Sequence, residues 1–230
     1  MNVQGAIKTR KSVRKYTSEK VDVQFLQQIQ VDLDNYTPTF SDTKVRFQIT
    51  NNYDDTQKTK IGFLHGLGKI NAPCCIVGIC GDDNQGMLEL GFALEQTVLK
   101  LTDAGYATCW LGTFDKTTMA EMCSLQENEK VGIVIAVGYE KNDAFMNNGF
   151  RRIAGSVKRK SFDEISIKSS YTDADCKVKK IINLSILAPS ANNVQPVRVS
   201  ADHSRADFYL IENSKIDVGI FMSHFYLCAI

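Results

Sequence analysis

The spacing of apolar residues in the first half of the chain predicts helices that alternate with strands. Behind Asp22, a residue type that caps helix N-termini, apolar residues recur at helical spacing through 25–33. Apolar and polar residues alternate at 45–49, as in a half-buried strand, and the continuous apolar run 74–80 predicts a central strand. Two apolar stripes over 87–104 predict a long, largely buried helix.

A third strand of the first half is predicted at 131–139, and the second half then repeats this order of elements in a shorter form. It opens with a helix that is capped near Asp173 and is expected to end before Pro189. A hairpin is predicted within 197–211 across a polar turn, and the apolar segment 216–230 is long enough for a buried helix. The order helix, strand, apolar strand or hairpin, long buried helix therefore occurs twice.

Composition narrows the class of protein. The 230 residues are 43% hydrophobic and 23% charged, as in ordinary soluble globular proteins. A net charge of +1 gives no argument for binding to nucleic acid or to a membrane surface. No apolar run approaches the roughly 20 residues that span a bilayer, and the N-terminus lacks the apolar core of a signal peptide. We therefore expect a cytoplasmic protein.

The seven cysteines do not form the even, regularly spaced set of a secreted disulfide framework. Cys74, Cys75 and Cys80 fall in the predicted central strand, where free cysteine packs as a small hydrophobic residue. The three histidines do not lie at metal-site spacing, so no metal is expected. A thiol or metal protein that uses these three cysteines stays open as an alternative.

A basic motif near the N-terminus has the spacing of an anion site. Arg10, Ser12 and Arg14 alternate along the chain, and side chains at i, i+2 and i+4 of an extended segment project to one side. Arginine binds a phosphate through planar, charge-assisted hydrogen bonds. A solvated surface segment is the alternative interpretation of this motif.

A second motif, Pro-Ser-Ala-Asn-Asn-Val-Gln-Pro at 189–196, directly follows the apolar residues of the second-half helix. Its amides and turn-forming residues suit hydrogen bonding to a planar polar heterocycle. An ordinary loop that ends a helix is the alternative.

Together the two motifs resemble the flavin-binding elements of the nitroreductase family. The first matches the family's Arg-x-Ser-x-Arg motif followed by an aromatic residue, here Tyr16, and the second departs from Pro-Ser-Ser-x-Asn-x-Gln-Pro only at Ala191. In the family, the first motif contacts the phosphate, ribityl chain and pyrimidine of FMN. The second contacts a flavin that is held largely by the other subunit. The flavin-contacting residues implied are Arg10, Ser12, Arg14, Pro189, Ser190, Ala191 and Asn193, with Gln195 serving turn architecture.

Three further segments carry the same resemblance. The family's Gly-x-x-x-x-Trp-x-Gly segment matches 105–112, which implies that a main-chain amide of Gly112 or Thr113 donates to flavin N5. Lys69 matches a basic position near the pyrimidine. Lys158 and Arg159 match basic residues of the family's closing segment, which help to neutralise the phosphate.

The resemblance implies an α+β, nitroreductase-like fold with a central, mainly antiparallel sheet flanked by helices. Because each motif occurs once and the chain continues for about seventy residues past the family's usual end, it resembles the fused, pseudo-dimeric "putative TM nitroreductase" type. Residues 1–166 would form the first half, and 167–230 a shortened second half that completes the flavin site. A pseudo-dimeric monomer is expected, and a homodimer stays open.

The implied function is an FMN-dependent oxidoreductase. NADH or NADPH would reduce the flavin by hydride transfer to N5, and a nitroaromatic, a quinone or a similar small acceptor would then replace it in a ping-pong cycle. The flavin carries this chemistry, so no catalytic side chain is expected. The alternative is a flavin-binding sensor or carrier without turnover, because a shortened second half could block access of the nicotinamide.

Overall fold

A computed structural model describes residues 1–51, 63–64, 68–141, 158–167, 176–202 and 204–230, with the side chains of 51, 63, 64, 68, 69 and 176 outside that description. The helices are α1 Val3–Thr9, α2 Val23–Asp34, α3 Asn84–Asp103, α4 Lys116–Cys123, α5 Phe162–Ile165, α6 Cys176–Ser185 and α7 Lys215–Ala229. The strands are β1 Val45–Asn51, β2 Phe63–Leu64, β3 Gly68–Lys69, β4 Cys74–Cys80, β5 Ala107–Leu111, β6 Lys130–Gly138, β7 Val197–Ala201 and β8 Ala206–Leu210. None of the described helices is long and apolar enough to cross a membrane.

The main sheet has the order β1-β4-β6-β5, and each neighbouring pair is antiparallel. The two inner strands, β4 and β6, are the apolar runs of the sequence, and every residue of β4 is buried. Strands β7 and β8 form a separate antiparallel hairpin in the second half. The α+β class and the antiparallel sheet with flanking helices are confirmed.

Helix α3 is the long element that the two apolar stripes predict. It begins three residues earlier than expected because Asp83 caps it, accepting a hydrogen bond from the backbone N–H of Gly86 at 2.5 Å. It ends where Gly105 adopts a positive φ of 87°, a left-handed backbone conformation that glycine takes without strain.

Helix α3 packs on α7 through two glycines. A Cβ added to Gly91 would overlap the backbone oxygen of Ile216, and one added to Gly219 would overlap the backbone oxygen of Leu88. Each glycine therefore meets the residue three positions before the other glycine. A reciprocal contact of this kind is what a two-fold relation between two elements produces.

The second half has its own apolar core. Val178, Ile182, Val199 and Phe221 are buried in one cluster with Ile165 from α5. The segment directly after α5 pairs with β7 of this half, since Ser166 forms a parallel bridge with Val199 and the backbone N–H of Ile167 donates to the oxygen of Val199 at 2.9 Å. The predicted cap at Asp173 lies outside the described residues, as does His203 of the predicted hairpin turn.

Several short elements have no counterpart in the apolar spacing, among them α1, β5 and α4. Helix α1 has only seven residues, too few for a clear period, and it is held because Ala6 and Ile7 pack against Leu99 and Leu184. Strand β5 lies at the edge of the sheet and alternates only partly in burial. Tertiary packing rather than local pattern decides these elements.

Candidate flavin site

The basic motif follows directly from the end of α1, where Arg10 is the C-cap residue. The extended chain then runs beside β5: Ser12 pairs with Thr108 as a parallel bridge, and the N–H of Val13 donates to the oxygen of Thr108 at 2.9 Å. This pairing brings the motif to the strand that directly precedes Gly112.

The motif, the end of β5, the loop after α6 and the start of α7 surround one cavity of about 430 Å³. This volume is within the range of about 300–1000 Å³ that is typical of small-molecule sites. The predicted flavin residues that line it are Ser12, Arg14, Gly112, Thr113, Pro189, Ser190 and Ala191. The two motifs, more than 170 residues apart in sequence, therefore meet in space.

Two features of the cavity wall fit an anionic ligand with a flat ring. Arg14 lines the cavity, and its Nη1 is buried with no hydrogen-bond partner among the described residues, so its guanidinium keeps a donor that none of those residues uses. A Cβ built on Gly112 would meet no atom within 4 Å, so open space adjoins the backbone at this position. A ring could approach the main chain closely there.

Cys109 lies among the basic residues of the motif. Burial raises the pKa of its thiol, while the charges of Arg14 and Arg10 and a hydrogen bond from Ser12 oppose this rise. All three motif residues therefore converge on one place beside β5. Arg10 itself is not among the residues that line the cavity.

The loop after α6 is an irregular turn held by its own amides. Asn192, Asn193 and Gln195 have positive φ values of 49°, 57° and 53°. Asparagine adopts this conformation more readily than most residues, which accounts for its presence here. The N–H of Gln195 donates to the hydroxyl of Ser190 at 2.9 Å, and Lys160 donates to the oxygens of Val194 and Gln195 at 3.0 and 3.1 Å. The side chain of Gln195 also contacts the turn: its Oε1 accepts the N–H of Lys160 at 2.8 Å, and its Nε2 donates to the oxygens of Lys158 and Asn193, each at 3.2 Å.

Asn193 and Arg159 bond to each other in this structure. Nη1 of Arg159 donates to Oδ1 of Asn193 at 2.6 Å, and Nδ2 of Asn193 donates to the oxygen of Lys158 at 2.8 Å. Neither residue, nor Lys158, is among those that line the cavity. Lys69 pairs through its backbone in β3, but its side chain lies outside the described part of the chain.

Asp217 is a wall residue that the sequence motifs do not contain. It lies in the first turn of α7, is 5% exposed, and accepts the backbone N–H of Ala191 at 3.1 and 3.2 Å to its two oxygens. Burial raises the pKa of this carboxyl, opposed by its hydrogen bonds from Ser214 and Ala191. In the sequence, the signal for Asp217 is an acidic residue at the start of the otherwise apolar segment 216–230.

A second acid occupies the corresponding position in the first half. Glu89 is fully buried in α3 and accepts the N–H groups of Thr39 and Phe40 at 3.0 and 2.5 Å. Glu89 lies two residues before Gly91, as Asp217 lies two residues before Gly219. Phe40 follows Pro38 by two positions, as Ala191 follows Pro189.

A buried polar network lies behind the cavity. Glu95 of α3 accepts from Nε1 of Trp110 at 2.9 Å and is 2.7 Å from Nε2 of His224 on α7, and neither Glu95 nor His224 has any exposed surface. Trp110 lines the cavity. Thus Glu95 from the first half holds Trp110 of β5 directly, and His224 from the second half contacts Glu95. The sequence indicated a buried α3 but not these partners.

Comparison with solved structures finds similar folds. A structure described as a putative nitroreductase from Thermotoga maritima has a TM-score of 0.67 and 24% identity, over 99% of this chain and 83% of that one. A nitroreductase family protein from Clostridium difficile 630 has a TM-score of 0.55 and 20% identity, over 74% and 100%. An FMN-dependent nitroreductase from Clostridium difficile R20291 has a TM-score of 0.50 and 20% identity, over 63% and 95%. No curated protein matches the chain.

The family comparison covers almost the whole sequence. The model described as "Putative TM nitroreductase" matches residues 2–229, which include both motifs and every described element. The chain belongs to this nitroreductase family.

Proposed function

We propose that this protein is an FMN-dependent oxidoreductase that uses NADH or NADPH to reduce a small acceptor such as a nitroaromatic or a quinone. The observation that carries the proposal is that residues of both flavin motifs line one cavity. The family match and the FMN-dependent relative from Clostridium difficile support it. When bound, FMN would supply the redox chemistry by accepting a hydride from the nicotinamide and passing it to the acceptor.

Arg14 and Ser12, with Arg10 behind them, would hold the phosphate and ribityl end of the cofactor. The buried, unpartnered Nη1 of Arg14 supports this assignment, because leaving a buried guanidinium nitrogen without an acceptor is unfavourable. Lys158, Arg159 and Lys69 would add positive charge near the cofactor.

The backbone of Gly112 and Thr113 would face the flavin ring, and one of their N–H groups would donate to N5. The open space beside Gly112 supports a close approach. Pro189, Ser190 and Ala191 would cover the other part of the cofactor from the second half. Asn193 would act here mainly through the loop, because its side-chain amide already bonds to Arg159 and Lys158.

A thiol enzyme that uses the cysteines of β4 has little chemical support. Burial raises the pKa of Cys75 to about 12 and that of Cys80 to about 11, and raises the pKa of Cys74 further. The thiolate is the reactive form of cysteine, so these residues would be inert near neutral pH. They pack in the core instead.

We further propose that the chain is a fused pseudo-dimer, with residues 1–166 and 167–230 as its halves, and binds one FMN. The reciprocal contacts of Gly91 and Gly219 support a two-fold relation between α3 and α7. The matching loop contacts of Glu89 and Asp217 support it independently.

The test is an anaerobic titration of the purified protein loaded with FMN. We expect a yellow chromophore at one FMN per chain that bleaches on addition of NADH or NADPH and recovers on addition of a quinone. Bound flavin that no nicotinamide bleaches would indicate the sensor or carrier instead. A protein that does not bind FMN would contradict both.

A further inference from the structure

We propose that Asp217 is the positioning residue of the flavin-contacting loop: its carboxylate holds the backbone of Ala191, and with it Ser190, in the conformation that the cofactor needs. This inference rests on the proposed function. It adds a residue outside both sequence motifs and assigns it a role that acts through the loop rather than by contact with reacting atoms.

The contact is specific in its geometry. Both carboxylate oxygens lie within hydrogen-bond distance of the Ala191 N–H, and Ser214 supplies a further hydrogen bond from the start of α7. Asp217 is 5% exposed, so water cannot readily replace these partners. Ser190, Ala191 and Asp217 all line the cavity, so a shift of this contact changes the cavity wall.

The loop depends on this contact more than an ordinary turn would. Three of its residues have positive φ, a conformation that must be maintained by surrounding contacts. Gln195 and Lys160 hold the far end of the loop, and Ser190 bonds to Gln195. Asp217 is the carboxylate that holds the near end, where the cofactor would lie.

Glu89 provides a control within the same molecule. It holds the corresponding amide of Phe40 in the first half, yet it does not line the cavity. Tyr36 and Thr39 also donate to Glu89, so its loop is tied by several contacts. Loss of either acid therefore removes a buried loop contact, but only Asp217 lies beside the cofactor site.

The experiment compares Asp217→Ala, Asp217→Asn and Glu89→Ala in the full chain. FMN affinity is measured by fluorescence quenching. Hydrogen exchange of the 188–194 segment is measured on the flavin-free protein by mass spectrometry, with circular dichroism to verify the fold. We expect Asp217→Ala to weaken FMN binding at least tenfold and to speed exchange in that segment. We expect Asp217→Asn, which keeps an acceptor oxygen, to stay within about threefold of wild type, since one hydrogen bond is retained.

Glu89→Ala should leave FMN affinity and exchange of the 188–194 segment unchanged. If Asp217→Ala does not fold, Asp217→Ser replaces it, because the shorter hydroxyl cannot span the same contact. If Glu89→Ala does not fold, Tyr36→Phe, which removes one donor to Glu89, takes its place.

Wild-type affinity in Asp217→Ala, or equal loss in Asp217→Asn, would overturn the inference. A wild-type protein that binds no FMN would refute the proposed function and the cofactor part of this inference. Unchanged exchange in Asp217→Ala would refute the loop contact by itself.

Discussion

At the scale of single residues, the guanidinium of Arg14 is the group whose surroundings point most directly to a bound anion. Arg14 lines the cavity and its Nη1 is buried without a partner among the described residues, whereas Arg46 pairs with Glu129. Asn193 shows the opposite situation, since its amide is already engaged by Arg159 and Lys158. Residue type alone could not distinguish these two cases.

Replacement of Arg14 by alanine should weaken FMN binding by about 2–4 kcal/mol, because a buried charge-assisted contact to the phosphate is lost. Riboflavin, which lacks the phosphate, should bind to both proteins with similar affinity. The measurement is flavin fluorescence quenching. Arg205→Ala is the control, since Arg205 directly precedes β8 in the β7–β8 hairpin and pairs there with Asp207. An FMN affinity of the Arg14 variant equal to that of the wild-type protein would contradict the role of Arg14 in binding the phosphate.

At the scale of elements, α3 organises the molecule. It contacts the main sheet, α1 and α7, and it carries Glu89, Gly91 and Glu95. Its two ends follow local rules, an Asp83 cap and a Gly105 stop, but its crossing with α7 follows from glycines that permit backbone contact. The stability of α3 and its packing on α7 can therefore be tested separately.

Loss of the α3 cap should be measurable and dependent on pH. Asp83→Ala should lower the free energy of unfolding by about 1 kcal/mol at pH 7. The hydrogen bond from Gly86 lowers the pKa of the folded Asp83 below its ordinary value. The stabilisation is therefore present above the ordinary pKa and is lost as pH falls through the lowered one. Urea unfolding of both proteins between pH 7 and pH 3 should show the difference shrink; a constant difference would refute the charged cap.

The helix crossing should not tolerate a methyl group. Gly219→Ala should destabilise the protein by about 3 kcal/mol, because the new Cβ would overlap the backbone oxygen of Leu88 and would force the helices apart. Gly81→Ala is the matched control: its Cβ would meet its nearest neighbour, Oδ2 of Asp83, at an ordinary 3.4 Å. Thermal unfolding by circular dichroism measures both. If both substitutions lower the stability by a similarly small amount, α3 and α7 can move apart to accommodate the methyl group.

At the scale of the whole molecule, the cavity is built from both halves of one chain. Ser12, Arg14 and Gly112 come from the first half, and Pro189, Ala191 and Asp217 come from the second. Glu95 and His224 join the halves again behind the cavity. A second subunit is therefore not needed to bring the two motifs together.

Dilution should leave the flavin bound. If one chain completes the site, a protein diluted until it is monomeric should keep one FMN per chain, measured by sedimentation velocity with detection at the visible flavin band. The companion measurement at 280 nm gives the mass of the same species. Release of flavin that coincides with dissociation into monomers would contradict the fused site, and would favour a homodimer that shares its cofactors.

By itself, the sequence determined the buried strands β4 and β6, the long helix α3 and the residues of both motifs, because apolar periodicity and short motifs are local signals. Tertiary structure decided what these signals do not contain: the edge strand β5, the short helix α1, the partners that engage Asn193, and the lack of a partner for Nη1 of Arg14 among the described residues. It also brought Asp217 to Ala191 and His224 to Glu95. Those contacts join distant segments through packing of α7, and burial gives them their strength, so no local pattern could encode them.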